Sequence, residues 1–337
     1  MNKAALKRMT RRTEFYMFLL LLLLCVVVQV KSGGKLFALP GVFTRMNTTV
    51  LRTMVVDGMF AMCSLVVMIS GGFDLSFPAI AALSYSLTCT LCLNNGWCQT
   101  SPLPGFLMAA AIGWVLGMLN GWIISNFKLN TMIVTLGTQT LFTGISMGLL
   151  ALKEITSTLP AGFKTFGKLY ILEGTDGKIR FTLSAMVLFL IALCLIVSFI
   201  LNKTMFGRAL YAIGGNEVSA ERAGYNVKRT KFLLYSAVGA ASGFIGMIRV
   251  CMESQSIPKA MVGREMTIIP AVILGGASIY GGEGTVFGTM VAVGIISLVS
   301  NSMLILGIDS YWQQFFNGLV ILVGVTVSAL QAKRQKH

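Results

Sequence analysis

The sequence predicts an all-α, polytopic helical membrane protein with about ten membrane-spanning helices. Of its 337 residues, 55% are hydrophobic and only 12% are charged, which is about half the charged fraction of a typical soluble domain. The apolar residues form runs of roughly 20 residues, the length that an α-helix needs to cross a bilayer. The charged residues lie mostly at the ends of these runs and between them. A soluble enzyme, a disordered chain and a fibrous repeat are therefore excluded.

Ten apolar runs give the predicted helices in order. The first, 15–30, follows a basic segment, and we keep it as a helix because no small-residue cleavage site comes after it. The others lie near 50–69, 77–93, 105–127, 131–151, 181–201, 232–252, 266–280, 285–306 and 312–330. We expect them to form one transmembrane domain over residues 1–337.

The distribution of Lys and Arg predicts the orientation. With the N-terminus in the cytoplasm, the inner loops hold more Lys and Arg than the outer loops, as membrane helices generally require. Ten crossings then place the C-terminus in the cytoplasm as well. The long loop 152–180 is expected outside and the loop 202–231 inside. The net charge of +15 is spread over the helix ends and forms no basic face, so a nucleic-acid partner is not expected.

Two glycine-containing segments, 71–78 and 275–284, interrupt the apolar runs. In the first, Asp74 or Ser76 can cap the next helix, and Pro78 is tolerated in a first turn. The first segment fits a tight turn between helices, and the glycines of the second fit a close approach of two helices. Both also fit broken helices that line a polar path, because non-helical backbone at membrane depth needs hydrogen-bond partners from protein or water.

The predicted inner loop contains a short helix over 217–223. Residues suited to helix ends give its boundaries: a preceding glycine pair, the N-cap Asn216, the acidic Glu217 at the positive end and the stop residue Gly224. So short a helix is marginal by itself in water. It should pack against its own protein or against a cytoplasmic partner.

The residues that carry catalysis or hold metals are largely missing from the sequence. The single histidine is the last residue, so a zinc site at Cys89 and Cys92 lacks further ligands. The segment 162–169 has the glycine and lysine spacing of a phosphate loop, but Leu169 occupies the position of the magnesium-binding hydroxyl. We expect no bound cofactor or metal, no ATP site and no enzymatic activity in this chain.

Several motifs occur in a fixed order over about residues 40–330. They include Ile69-Ser-Gly-Gly-Phe-Asp-Leu-Ser76, Thr135-Leu-Gly137, Tyr211-Ala-Ile-Gly-Gly-Asn216, Ala271-Val-Ile-Leu-Gly-Gly276 and Trp312-Gln-Gln314. In this order the motifs resemble the membrane permease subunits of bacterial ABC importers for ribose-like monosaccharides.

The resemblance implies a subunit of about ten helices in the bacterial cytoplasmic membrane, paired with an identical or related permease subunit around a shared path. It also implies a cytoplasmic ABC ATPase that uses ATP and Mg, and an external solute-binding protein that delivers the sugar. The helix 217–223 would then be the coupling helix seated in a cleft of the ATPase. The implied coupling residues are Gly214, Gly215, Asn216, Glu217, Glu221, Arg222 and Gly224.

Polar residues in or beside the spans, and one aromatic ring, are candidates for the translocation path. They are Asp57, Asp74, Ser76, Thr135, Gln139, Phe142 and Thr267. Asp57 either contacts the sugar or is a paired structural group, since a lone charge at the bilayer centre costs about 3 kcal/mol or more. Residues 135, 139 and 142 recur at helical spacing, which fits sugar contact or hydrogen bonding between helices.

The sequence departs from the family at three places and leaves alternative functions open. Phe77-Pro78 replaces the usual Val-Gly, Thr267 replaces an acidic residue, and Asp57 lies where the family is apolar, so the sugar stays undetermined. An ion-coupled secondary transporter of a small polar solute also has broken helices, but it would need more carboxylates within the spans.

Arg249 and Glu253, four residues apart at a helix end, are expected to form a local ion pair.

Overall fold

The structure, a computed structural model, describes residues 13–31, 45–176 and 179–305, together with residues 312, 315, 318, 319 and 322. Within these ranges the chain is mostly helical. The α-helices are α1 (Thr13–Lys31), α2 (Arg45–Ile69), α3 (Phe77–Asn94), α4 (Leu103–Phe127), α5 (Thr131–Gly144), α6 (Ala161–Gly167), α7 (Met186–Lys203), α8 (Met205–Gly215), α9 (Glu217–Arg222), α10 (Val227–Glu253), α11 (Glu265–Leu274) and α12 (Val286–Ile305). A π-helical turn, Ile145–Leu149, extends α5, and a 3-10 turn, Pro258–Met261, precedes α11.

Six of the described helices are long and apolar enough to cross a membrane: α2, α3, α4, α7, α10 and α12. The predicted span near 266–280 is shorter than expected, because α11 ends at Leu274 and Gly276 turns the chain with a φ of +94°. The predicted span 312–330 lies outside the described residues, apart from positions 312, 315, 318, 319 and 322.

The prediction of an all-α chain is wrong in one region. Strands β1 (Tyr170–Asp176) and β2 (Ile179–Ser184) form an antiparallel two-stranded sheet within and just after the predicted outer loop. The two residues between the strands begin with Gly177, a residue typical of hairpin turns. Strand β2 also occupies the start of the predicted span 181–201, so α7 begins only at Met186.

Helices α4 and α10 pack with their backbones in close contact. A Cβ added at Gly113 of α4 would lie 2.3 Å from the carbonyl oxygen of Gly239, and one at Gly243 of α10 would lie 2.1 Å from that of Ala109. Gly113 and Gly117 are four residues apart, as are Gly239 and Gly243, so each pair lies on one helix face. Small residues at this spacing permit close helix packing in membranes.

The remaining faces of several helices are apolar and exposed. Ile133 on α5 and Leu195 on α7 are 70% and 66% exposed. The core lies mainly around α2, α3 and α10, whose apolar side chains are largely buried. This distribution is expected when outward side chains contact lipid or a partner subunit rather than water.

Candidate coupling and translocation site

Three glycine-containing segments that are far apart in the sequence meet at one end of the bundle. We call this contact the glycine junction, formed by residues 69–72, 214–215 and 280–282. The backbone N–H of Gly282 donates a hydrogen bond of 2.9 Å to the carbonyl oxygen of Ile69. A Cβ on Gly214 would lie 1.9 Å from that oxygen and 2.5 Å from the nitrogen of Gly282. The junction is thus a contact between backbones, with no room for a side chain at Gly214.

The short helix α9 follows the junction directly, and both of its ends are capped. The side chain of Asn216 accepts a hydrogen bond of 2.8 Å from the N–H of Ser219, which confirms the predicted N-cap. At the other end Gly224 has a φ of +89°, and the N–H of Tyr225 donates to the carbonyl of Ala220 at 3.1 Å. This is a Schellman motif. The helix ends at Arg222, one residue before the predicted end.

One face of α9 is held by its own protein and the opposite face is exposed. Ala220 is buried in a small apolar cluster with Ile213 of α8, and Glu217 forms an ion pair of 2.7 Å with Lys231 of α10. Val218 is 58% exposed, and Ser219, Glu221 and Arg222 are also exposed. The helix is therefore fixed at its base while its outer surface stays available to a partner.

Tyr211 adds a further connection at this end of the molecule. Its hydroxyl donates a hydrogen bond of 2.9 Å to the carbonyl oxygen of Gly284, in the segment that leads into α12. Burial raises the pKa of the Tyr211 phenol, so the group stays neutral and keeps its donor proton. We call the interruptions 71–78 and 275–284 the first and the second broken segment. Helix α8 is thereby tied to the second broken segment as well as to the first.

A polar cavity of about 250 Å³ opens beside the glycine junction. Its walls carry hydroxyls, an amide and one ion pair, and they include Ser70, Thr131, Asn216, Glu217, Lys231 and Tyr280. Donors and acceptors occur together on these walls, so the cavity suits water or a small polyhydroxylated molecule better than an apolar one.

The first broken segment is stabilised by its own side chains. The carboxylate of Asp74 accepts hydrogen bonds from the N–H of Ser76 at 2.7 Å and from its hydroxyl at 2.6 Å. The Ser76 hydroxyl in turn accepts a bond of 2.8 Å from the side-chain amide of Asn120. Asp74 and Ser76 thus lie together in a buried network just before α3.

Helix α5 supplies further hydrogen-bond partners for this segment. The hydroxyl of Thr131 accepts a bond of 2.9 Å from the N–H of Phe73. The fully buried hydroxyl of Thr135 accepts one of 3.1 Å from the N–H of Leu75 and donates one of 3.2 Å to the carbonyl of Phe73. Buried non-helical backbone needs hydrogen-bond partners from elsewhere in the chain, and here two threonine hydroxyls provide them.

The other candidate path residues lie apart from this network. Gln139 donates a hydrogen bond of 2.6 Å to Oε1 of Glu265 at the start of α11. Phe142 is buried against α3, in a cluster with Ile80, and Thr267 is half-buried on α11. Asp57 forms an ion pair of 2.6 Å with Arg264, which immediately precedes α11. The structure therefore groups residues 74, 76 and 135 and places Asp57 elsewhere.

Several residues that organise the site were not singled out from the sequence. Arg264 is separated from Asp57 by 207 positions and Glu265 from Gln139 by 126, so neither pairing has a local sequence signal. Oε2 of Glu265 is buried and has no hydrogen-bond partner in the part of the chain that the structure describes. Lys231 had a weak signal, since it lies close to the predicted short helix.

The apolar helices, the broken segments and the capped helix beyond them define a multi-pass helical membrane protein. The chain belongs to the family described as the permease component of branched-chain amino acid transport systems, which matches residues 46–325. This finding confirms the resemblance to importer permeases that the ordered motifs indicate.

Individual relatives are similar over most of their lengths. The chain is 34% identical over 310 residues to the ribose import permease protein of Bacillus subtilis, covering 91% of this chain and 90% of that protein. It is 32% identical to the ribose import permease protein of Haemophilus influenzae, covering 82% of each. It is 27% identical to the galactose/methyl galactoside import permease protein of Escherichia coli, covering 100% of this chain and 99% of that protein.

Proposed function

We propose that this chain is the membrane-spanning permease subunit of an ATP-binding-cassette importer for a monosaccharide. Its family and its similarity to permeases named for ribose and galactose import support this function. In this proposal an external solute-binding protein delivers the sugar, and a cytoplasmic ABC ATPase binds ATP and Mg and performs the hydrolysis. The chain spans the bacterial cytoplasmic membrane about ten times, with both termini in the cytoplasm, and pairs with a second permease subunit.

The single observation that carries the coupling role is the position of α9 against the glycine junction. The helix has two capped ends, and one face contacts Ile213 of α8 and Lys231 of α10, so a displacement of α9 would be transmitted to both of these helices. Its exposed face would sit in a cleft of the ATPase, with Asn216, Glu217, Glu221, Arg222 and Gly224 at or beside the contact. A push on α9 would then reach both broken segments through Gly214 and Gly215.

The path for the sugar is proposed to pass the broken segments and end at the polar cavity. Asp74, Ser76 and Thr135 would shape the path through the backbone that they hold, while Gln139 and Thr267 would offer polar groups farther along it. The buried, unpartnered oxygen of Glu265, next to Gln139, would accept a hydrogen bond from a sugar hydroxyl. Asp57 is ion-paired with Arg264, which weakens the ion-coupled alternative, since an ion path would rely on that carboxylate.

The coupling role is tested by Val218→Ser, which removes the exposed apolar side chain of α9 without touching its caps. The matched control is Met205→Ser on α8, because Met205 is 63% exposed and Val218 is 58% exposed. We expect Val218→Ser to lower uptake of radiolabelled ribose by about tenfold or more, because full burial of a valine side chain at the ATPase contact would contribute roughly 1.5 kcal/mol or more. The control should retain uptake close to that of the unsubstituted protein.

Two measurements distinguish the possible outcomes of this experiment. Pull-down of the ATPase with the tagged permease should weaken for Val218→Ser and not for the control. Equal uptake and equal ATPase recovery for both variants would remove α9 as the docking helix. Uptake by the purified protein in liposomes, driven by an ion gradient without ATP, would instead favour the secondary transporter.

A further inference from the structure

Two thiols face each other at the end of α3 that is remote from the glycine junction. Cys92 lies in the last turn of α3, and Cys98 lies in the connection to α4. Their sulfur atoms are 2.9 Å apart, and both side chains are buried. A disulfide requires a sulfur separation of about 2.05 Å, so a movement of less than about 1 Å by the two side chains would allow the bond.

The backbone between the two cysteines is bent in a way that brings the thiols together. Gly96 has a φ of +68° and Cys98 a φ of +62°, so Cys98 adopts a left-handed conformation that non-glycine residues rarely take. The carbonyl oxygen of Cys98 also accepts a hydrogen bond of 3.1 Å from the N–H of Gly162 in α6. The side chain of Gln99 accepts another, of 3.2 Å, from the N–H of Ala161. The connection thus supports the start of α6.

The position of the pair across the membrane follows from the length of α3. This helix begins directly after the first broken segment and has 18 residues, which corresponds to about 27 Å. That length is close to the hydrocarbon thickness of a bilayer, about 30 Å. Cys92 and Cys98 therefore lie on the membrane side opposite the glycine junction. With α9 in the cytoplasm, that side is outside the cell membrane, where disulfides persist.

We infer that Cys92 and Cys98 form a structural disulfide on the outer side of the membrane. The inference rests on the orientation in the proposed function. Each thiol loses one proton and one electron, and the sulfurs join through a mixed disulfide with an external oxidant of the protein-disulfide class. The two electrons and two protons reduce the disulfide of that oxidant to two thiols. Because both sulfurs are buried in the folded chain, the exchange takes place before α6 covers the connection.

The disulfide would fix the surface on which α6 rests. The bond closes the short loop 92–98, which contains two left-handed residues and the carbonyl of Cys98 that accepts from α6. The second acceptor for α6, Gln99, follows this loop directly. This surface faces the side from which an external solute-binding protein would approach. The disulfide would therefore hold the outer docking surface in one conformation.

The test is differential alkylation of the full-length protein in cells that express it. Free thiols are blocked with N-ethylmaleimide during denaturation, the protein is then reduced, and newly released thiols are labelled with a heavier maleimide for peptide mass spectrometry. We expect the heavy label on Cys92 and Cys98. The buried thiols of Cys89 and Cys251 should carry only the light label and act as internal controls. Light label on both Cys92 and Cys98 would overturn the inference.

Substitutions give a second measurement. Cys98→Ser and Cys92→Ser should each lower the midpoint of thermal unfolding by roughly 2–5 °C, since closing a short loop by a disulfide stabilises a protein modestly. The double variant should be no less stable than either single variant, because both remove the same bond. Reduction in denaturant followed by refolding should lower the midpoint of thermal unfolding of the unsubstituted chain. The same treatment should leave the midpoint of Cys98→Ser unchanged, because this variant has no bond to reduce. Additive losses in the double variant would contradict the bond.

The orientation of the chain in the membrane is measured separately with Arg222→Cys. Its new thiol would lie on the exposed face of α9. A membrane-impermeant maleimide applied to intact cells should leave it unlabelled. Labelling there from outside would refute the proposed function and, with it, the predicted oxidising location. A third outcome is possible: Cys92 and Cys98 are free thiols, and the thiol of Arg222→Cys is not labelled from outside. This outcome would overturn the disulfide and leave the proposed function intact.

Discussion

The two halves of the helical bundle are held together by different kinds of contact. At the glycine junction, backbones touch directly and leave no space for a side chain at Gly214. In the half remote from the junction, long charged side chains form what we call the charged layer: Arg52, Asp57, Arg249, Glu253 and Arg264. Its contacts are the Asp57–Arg264 and Arg249–Glu253 pairs, at 2.6 and 2.5 Å, and a bond from Arg52 to the carbonyl of Met252.

This difference separates a stiff region from an adjustable one. Backbone atoms in direct contact cannot shift independently, so the junction moves as a unit or not at all. The Asp57–Arg264 pair is partly exposed on both sides, and such pairs contribute little individually and exchange partners at low cost. Arg249 is buried, but its pair with Glu253 lies within α10 and fixes no second helix. The proposed coupling helix adjoins the stiff region, where a rigid-body push would be transmitted with little loss.

The largest expected effect is that of Gly214→Ala at the junction. The added methyl group would meet the carbonyl oxygen of Ile69 and the nitrogen of Gly282, and neither atom can be moved without displacing a helix end. We expect a loss of about 3 kcal/mol or more in the free energy of unfolding, at the upper end for overpacking. Thermal unfolding of the purified protein in detergent measures this loss.

Gly215→Ala is the matched control for the junction. A Cβ at Gly215 meets no described atom within 4 Å, and its φ is not in the left-handed range. This variant should be as stable as the original or more stable by about 0.5 kcal/mol, since alanine restricts the unfolded chain. Equal losses for the two variants would show that backbone contact at residue 214 is not what makes the junction rigid.

An intermediate effect is expected for Thr135→Val, which keeps the shape but removes the hydroxyl that holds the first broken segment. The N–H of Leu75 and the carbonyl of Phe73 would both lose a buried partner, which costs about 1–3 kcal/mol. Thr140→Val on the same helix is the control. Thr140 is exposed, and its described hydrogen bond goes to the carbonyl of Leu136 in the same helix. A similar midpoint of unfolding for both variants would contradict this role of Thr135.

The smallest expected effect lies in the charged layer. Asp57→Asn leaves Arg264 without its ion-pair partner, but the two side chains are 24% and 37% exposed, so water replaces part of the interaction. We expect a loss of about 1–2 kcal/mol, below the range for fully buried pairs. In a double-mutant cycle, Asp57→Asn with Arg264→Gln should cost less than the sum of the single changes. Strict additivity would show that the two residues do not interact.

Local features of the site could be predicted because they depend on neighbouring residues. Asn216 caps α9 and Gly224 ends it as expected, and Arg249 pairs with Glu253 one helical turn away. The hairpin was missed because an apolar run long enough for a helix follows it directly and hides the short strand β2. The partner of Asp57 was missed because Arg264 is brought to it only by the folded chain.

The sequence alone determined the membrane class, the order of most helices, the two interruptions and the ends of α9. These features depend on the length of an apolar run or on the residues at a helix end, which are neighbours in the chain. Only the tertiary structure decided that both interruptions meet Gly214, that threonines of α5 hold the first of them, and that Cys92 faces Cys98. The physical reason is that these contacts depend on how distant helices pack, and packing is set by the whole bundle rather than by any one segment.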